Sequence, residues 1–392
     1  MEGGLEIPRR AVVLVRVADT GDLMAYPRSS GLENFALRDP SRAPPAKGRA
    51  VRLKSLAVGM AALLAVTVAA PSAASARSTA NGSHTTLGAP RVIATFPPGQ
   101  SGSFAESMVA DRTGNLFVSV TSWTSTGWNR GQVWKITPSG TVRRFGPELE
   151  VGILSGLAID AHQQLYAGLV AWTGPALPEL LPGVVRIDAR TATRVLTLPD
   201  GEYGQASFPN ALAFCDDLLY VSDSAQGSIW RTRPHGTVND RQHTAWLTSP
   251  LLAPVTNVGV NGIAVDRTGI DAVNADKGSV VRIPVKPNGH PGQPALLTQD
   301  PKLVTADGVT FDGQHRLWVV TNSADGVGGS LLRVDPDGQV TTVADNPPWL
   351  GYPTQPIFGT TRTTDDTLFI ANGAFNTGTA NVIALELQGR NH

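Results

Sequence analysis

The chain has 392 residues, with 32 Lys and Arg against 32 Asp and Glu and a formal net charge of zero, which suits one large or two small globular domains. That balance, with no local run of Lys and Arg, gives no electrostatic reason to expect a nucleic-acid partner. The single cysteine, Cys215, rules out an intrachain disulfide and a cysteine metal cluster; inside a strand-like stretch it reads as a small buried side chain.

From the N-terminus, residues 1–50 are rich in Arg, Pro and Gly, and residues 51–76 have the organisation of a secretory signal peptide. Arg52 and Lys54 form its positive end, Leu56 to Ala70 its apolar core, and Ala74-Ser75-Ala76 the small-residue cleavage pattern. An apolar core of about 15 residues falls short of the roughly 20 that span a bilayer, so no stable membrane anchor is expected. A signal peptide belongs at the beginning of a chain. Translation is therefore expected to start near Val51, with residues 1–50 disordered or never made, and the mature protein to be secreted. Residues 77–90 read as a flexible linker, 91–387 as the folded domain and 388–392 as a tail.

Within 91–387 one phrase recurs: a short apolar strand, an Asp-containing turn, a second strand, a gap and a third strand. The copies are FAESMVADRTGNLFVSV from Phe104, LSGLAIDAHQQLYAGLV from Leu154, FPNALAFCDDLLYVSD from Phe208, VNGIAVDRTGIDAVNAD from Val260 and ADGVTFDGQHRLWVVTN from Ala306, with a degenerate one ending in DDTLFIAN at Asn372. Third strands follow at Gln132, Gly183, Ser228, Ser279 and Ser330, and fourth strands at Thr141 and Val340. A strand-built repeat of roughly 50 residues means an all-β propeller, because one unit cannot bury its faces alone. The count is six blades of four strands. The orphan strand Arg91 to Phe96 is expected to pair with the last blade and close the ring, which also protects its edges.

Whatever holds the same phase in every copy rings one axis. The position before the first apolar strand carries Glu106, Ser155, Asn210, Asn261 and Asp307. Two carboxylates crowded at a dry axis repel unless a cation or a proton sits between them, and two amides join them there. Hard oxygen donors of this kind suit calcium, and no His or Cys joins the set to suggest zinc. The competing reading treats Asn261-Gly262 and Asp307-Gly308 as ordinary turn residues. Ser155 reads as a small spacer or a hydroxyl near the substrate rather than a ligand. Trp123, Trp128 and Trp172, in or beside the long loops after second strands, are candidates for a substrate wall, as is Trp349; packing between blades is the competing role. Among known catalytic patterns there is no Gly-x-Ser-x-Gly, no His-Glu-x-x-His and no Gly-rich phosphate loop.

Over roughly residues 91 to 387 the chain resembles the senescence-marker-protein/gluconolactonase family. The resemblance is carried by Glu106, Asn210 in FPN, Asn261 in VNG and Asp307 in ADG, in that order. It implies a six-bladed propeller with a catalytic divalent cation held by those four residues, Asp307 also serving as nucleophile or base, and a small-molecule lactone or ester as substrate. Sugar lactonases of the family often place an Arg two residues before the first Asn. Here that residue is Phe208, which turns the expectation from a polar aldonolactone toward a more apolar lactone or ester. A non-catalytic propeller that binds a small molecule, glycan or protein partner stays open beside the hydrolase.

Overall fold

The computed structural model describes residues 86–97, 102–124, 129–170, 181–199, 207–235, 245–375 and 379–388, and the backbone of two strands near the start. Those strands, β1 (Val12–Arg16) and β2 (Leu23–Pro27), pair with each other as an antiparallel hairpin within the stretch 1–50. The signal-peptide segment 51–76 lies outside the described residues. Two further strands, β3 (Thr86–Leu87) and β4 (Arg91–Thr95), precede the repeats.

Each of five repeats then folds into one four-stranded antiparallel sheet in chain order. The first blade is β5 (Ser103–Ala110), β6 (Leu116–Ser122), β7 (Asn129–Ile136) and β8 (Val142–Val151). The second is β9 (Ile153–Ile159), β10 (Leu165–Val170), β11 (Gly183–Ile187) and β12 (Ala192–Thr197). The third is β13 (Pro209–Cys215), β14 (Leu218–Asp223), β15 (Ser228–Thr232) and β16 (Leu247–Thr248). The fourth is β17 (Val260–Val265), β18 (Gly269–Asn274), β19 (Ser279–Pro284) and β20 (Ala295–Gln299). The fifth is β21 (Ala306–Phe311), β22 (Leu317–Asn322), β23 (Gly329–Val334) and β24 (Val340–Ala344). The last repeat supplies only β25 (Pro353–Phe358), β26 (Thr367–Asn372) and β27 (Asn381–Gln388).

Its fourth strand comes from the other end of the domain. β4 pairs with β27, setting Thr95 opposite Asn381 and Arg91 opposite Ala384. The protein is a six-bladed β-propeller closed in the manner its sequence predicts. One boundary is corrected: β3 also pairs with β27, through Leu87 and Leu387, so the segment expected to be a flexible linker ends in a short strand. The first strands of the blades touch in sequence, β5 to β9, β13, β17, β21 and β25, and β25 touches β5 again. These six surround the axis.

Burial explains why the repeats cannot stand alone. The second strand β10, LYAGLV, is buried along its whole length because neighbouring blades cover both faces. The outermost β8 carries exposed Arg and Glu instead. Apolar side chains sort into six clusters, one at each blade–blade interface. The closing interface holds Phe96, 5.8 Å from Trp134 of the first blade. Each fully buried Leu, Ile or Phe contributes about 1.5–3 kcal/mol.

In four blades a recurrent Asp closes the turn between first and second strands. Asp111 accepts hydrogen bonds from the Thr113 and Asn115 amides, Asp160 from His162 and Gln164, Asp266 from Thr268 and Gly269, and Asp312 from Gln314 and Arg316. An aspartate that captures amides on its own C-terminal side fixes a tight turn. Among the described residues no helix is long and apolar enough to cross a membrane.

Candidate active site

At the in-phase position every first strand breaks register with its second strand. The breaks fall between Ala105 and Ser107, Leu154 and Leu157, Pro209 and Leu212, Val260 and Ile263, Ala306 and Val309, and Pro353 and Gln355. A bulge releases its residue from the ladder and re-aims its side chain. The sixth member, which sequence inspection missed, is Thr354. Asn261-Gly262 and Asp307-Gly308 are therefore bulges within strands, not turns. Glycine is required there by close approach: a Cβ on Gly262 would sit 2.3 Å from the Asp307 carbonyl, and one on Gly308 2.2 Å from that of Thr354.

Glu106, Asn210, Asn261 and Asp307 line one narrow axial cavity, closed by Thr354 and Gln355. All four are 6–8% exposed. Asn210 donates its amide to Ser224 Oγ at 3.0 Å, which leaves its Oδ1 as an acceptor. Asn322, at the end of β22, donates to Asp307 Oδ2 at 2.9 Å, and Asn261 hydrogen-bonds the same carboxylate. The Oδ1 atoms of Asn261 and Asn322 are buried without any hydrogen-bond partner.

The electrostatics follow from that arrangement. Burial pushes the Asp307 carboxyl up to about 7 against the hydrogen bonds from Asn322 and Asn261. Burial also raises Glu106 well above the carboxylate range, and the negative charge of Asp307 raises it further. Tyr352 is a second residue that sequence inspection missed. Burial, then the charges of Asp307 and Glu106, hold its hydroxyl well above the ordinary phenol value, so it stays protonated. Its position, two residues before the bulge at Thr354, matches those of Phe104 and Phe208 in their blades. Extending the in-phase comparison by two residues finds it.

The other predicted residues separate. Ser155 is fully buried and its Oγ donates to the Pro209 carbonyl at 2.5 Å, tying the second blade to the third, which suits the spacer of its two expected roles. Phe208 is half-buried, with its amide on Asp223 Oδ1 at 2.9 Å. Trp123 stacks on Phe104, with centroids 6.4 Å apart and planes inclined by 22°. Trp128 and Trp172 lie outside the described residues. Trp349 faces a groove of about 530 Å³ between blades five and six, also lined by Val92, Val327 and Asn346. That groove is far larger than the axial cavity, but it brings together no pair of carboxylates. The chemistry gathers on the axis.

The asparagines that end second strands also divide by role. Asn274 donates to the carbonyls of Leu251 and Ala253, and Asn372 to that of Trp349. Both pin the loop leading into their blade. Only Asn322 reaches an axial carboxylate.

No family model matches the chain, and no curated protein matches it in sequence. Solved structures match the fold. A gluconolactonase from Xanthomonas campestris superposes with a TM-score of 0.50 at 18% identity, covering 76% of this chain and 89% of its own. A luciferin-regenerating enzyme gives 0.51 at 14%, covering 76% and 96%. A PQQ-bound aldose sugar dehydrogenase from Streptomyces coelicolor gives 0.50 at 13%, covering 78% and 99%. The structural neighbours are thus propellers of gluconolactonase type and others that share the architecture.

Proposed function

We propose that the chain is a secreted hydrolase of lactones or related esters that works with a divalent cation, calcium by the character of its donors. The observation that carries this reading is the convergence of two buried carboxylates and two amides on one axial cavity, with the Asn261 oxygen left unsatisfied. An unpaired buried acceptor and two carboxyls that resist ionisation fit a cation held between them. Glu106, Asn210, Asn261 and Asp307 would hold the ion, and oxygen-only donors favour calcium. When bound, such a cation polarises a carbonyl oxygen and stabilises the charge that develops on it.

The chain's own groups account for the rest. Asn322 fixes Asp307 through Oδ2, so the carboxylate meets a water in one orientation. Asp307 accepts that water's proton as its oxygen adds to the carbonyl carbon. The carbon–oxygen bond of the ring or ester then breaks, and the departing oxygen takes the proton back. The protonated Tyr352 hydroxyl offers a hydrogen bond to substrate oxygen from the rim. Secretion through residues 51–76 would place the site where calcium is plentiful.

Fold alone does not select this chemistry, since one neighbour is a gluconolactonase and another a sugar dehydrogenase. The test is direct. Chelator-treated protein is titrated with calcium while bound metal and melting temperature are followed, and a panel of lactones and esters is assayed with wild type and Asp307→Asn. One equivalent of calcium, a higher melting temperature and turnover lost in the variant support the reading. No bound ion and equal rates in the two proteins would overturn it and leave a non-catalytic binding propeller, the second reading that the apolar Phe208 favours.

A further inference from the structure

One sector of the mouth is aromatic. Phe104, Trp123, Tyr352 and Phe375 come from the first and last blades and lie against one another, with centroids 5.6–6.4 Å apart. Phe104 enters on the same strand as Glu106, two residues ahead of it, and Tyr352 stands beside Asn322 and the axial carboxylates. Phe375 is 39% exposed, the only aromatic ring among the exposed large apolar side chains of the described residues.

The backbone beneath this sector is held in an uncommon shape. Tyr352 and Ala374 both have left-handed φ, 54° and 52°, without being glycine. Two hydrogen bonds maintain them, from the Gly373 amide to the Tyr352 carbonyl at 2.8 Å and from the Ala374 amide to the Gly351 carbonyl at 2.9 Å. That pairing puts the Tyr352 and Phe375 rings 5.6 Å apart and within 28° of parallel. Strain kept at the rim of a site argues for a role in that site. At the positions that correspond to Phe104 and Tyr352, the third blade carries Phe208 and the fourth and fifth carry Gly259 and Thr305, and Thr305 shares the left-handed φ, at 63°. The packed aromatic cluster itself belongs to the first and last blades, with one further ring of this phase at Phe208.

We infer that the substrate carries a planar aryl group, which lies against Trp123 and Phe375 while its ester or lactone carbonyl reaches the axial carboxylates. This rests on the hydrolase reading. Aromatic faces prefer stacked or edge-on aromatic partners and offer a sugar's hydroxyls little to bond; the Tyr352 hydroxyl and the Trp123 indole N–H are the polar groups of this sector. For an aryl-fused lactone the reaction balances without a further reactant. A water oxygen adds to the carbonyl carbon, the ring carbon–oxygen bond breaks, and the water's proton passes by way of Asp307 to the phenolate that leaves.

The experiment compares kcat/KM for 3,4-dihydrocoumarin and glucono-1,5-lactone on the calcium-loaded full chain. Wild type should prefer the aryl lactone. Trp123→Ala and Phe375→Ala should each lower the aryl-to-sugar ratio about tenfold, the worth of one ring contact, chiefly through the aryl KM. Trp123→Leu and Phe375→Leu keep apolar bulk without a flat face and serve if an alanine variant melts early. A wild-type preference for the sugar lactone, or a ratio unmoved in folded variants, overturns the inference. Failure of the hydrolase reading looks different, since no lactone would then turn over faster than with Asp307→Asn. In that event calorimetric titration with the ring-opened product, 3-(2-hydroxyphenyl)propanoate, still reads the wall. Binding that Trp123→Ala abolishes supports it, and no binding to wild type sinks it.

Discussion

Asp307 and Asp312 stand at opposite ends of β21 and are almost equally buried, 7% and 6% exposed, yet their carboxyls shift in opposite directions. For Asp312 burial pushes upward, but hydrogen bonds from Trp318, Arg316 and Gln314 outweigh it and hold the group below the usual aspartate value. For Asp307 burial wins over the two amides, with Glu106 nearby and no cationic side chain among its partners. Asp111, Asp160 and Asp266 follow Asp312: hydrogen bonds overcome burial and lower all three. Asp307 and Asp312 expose similar areas, but Asp307 lies deeper and has fewer donors, while Asp111 and Asp266 are only partly buried. At its turns the fold surrounds carboxylates with N–H groups; at its axis it leaves them short of positive partners, which is where a cation would bind.

The largest expected effect comes from neutralising the axial member. Asp307→Asn keeps shape and removes the charge. It should cut lactone turnover by about 10²- to 10⁴-fold, the usual worth of a positioned base. In chelator, above about pH 7 where Asp307 is ionised, the same variant should melt above wild type, because an uncompensated buried charge is gone. A variant that melts lower in chelator would mean Asp307 is already well compensated by protein groups, and the contrast with Asp312 would collapse.

The matching change at the turn should do the reverse. Asp312 Oδ2 accepts from Arg316 Nε at 2.7 Å and Trp318 Nε1 at 2.9 Å. Asp312→Asn leaves the buried Arg316 guanidinium unpaired, which costs about 3–5 kcal/mol. Denaturant unfolding should show that loss whether or not calcium is present.

The two settings also predict opposite pH dependences. Turn carboxylates have folded values below their unfolded ones, so their stabilisation is present above about pH 4 and fades as pH falls through the depressed values. Asp307 has a folded value near 7, above its unfolded one. Its stabilising contribution is complete below about pH 4 and is lost as pH rises toward 7. Metal-free protein should therefore melt progressively lower between about pH 4 and 7, and added calcium should restore more stability at the upper end of that window than at the lower. Melting curves across pH, with calcium and with chelator, measure both.

How much of this the amino-acid sequence reveals depends on whether a feature repeats. Glu106, Asn210, Asn261 and Asp307 can be found without coordinates because a bulge recurs at one phase and needs a small residue after it in most blades. The inner strand of the sixth blade is hidden: Pro353–Phe358 carries two prolines and lacks the Asp turn. The fourth strands Ala192–Thr197, Leu247–Thr248 and Ala295–Gln299 are short or partly exposed, so their pattern is weak. The aromatic sector is hidden for another reason. Its geometry depends on left-handed backbone at Tyr352 and Ala374, residues that carry no such signal in their identity.

Ser155 shows where phase misleads, and it gives the smallest prediction. It shares the bulge position with the four axial residues, so periodicity alone turns it toward the mouth. A hydroxyl is too short to reach the centre as Asn or Glu does, and the Pro209 carbonyl of the next blade lies 2.5 Å away. Thr354, the other hydroxyl in the ring, behaves alike, donating to the Ala105 carbonyl at 2.9 Å across the closing interface. Short hydroxyls at this phase tie blades together, while longer carboxyl and amide side chains face the axis. Ser155→Ala should therefore cost about 1 kcal/mol in unfolding, the net worth of one hydrogen bond, and move calcium affinity less than twofold. A tenfold loss of calcium affinity in that variant would return Ser155 to the site and break the division between long and short members of the ring.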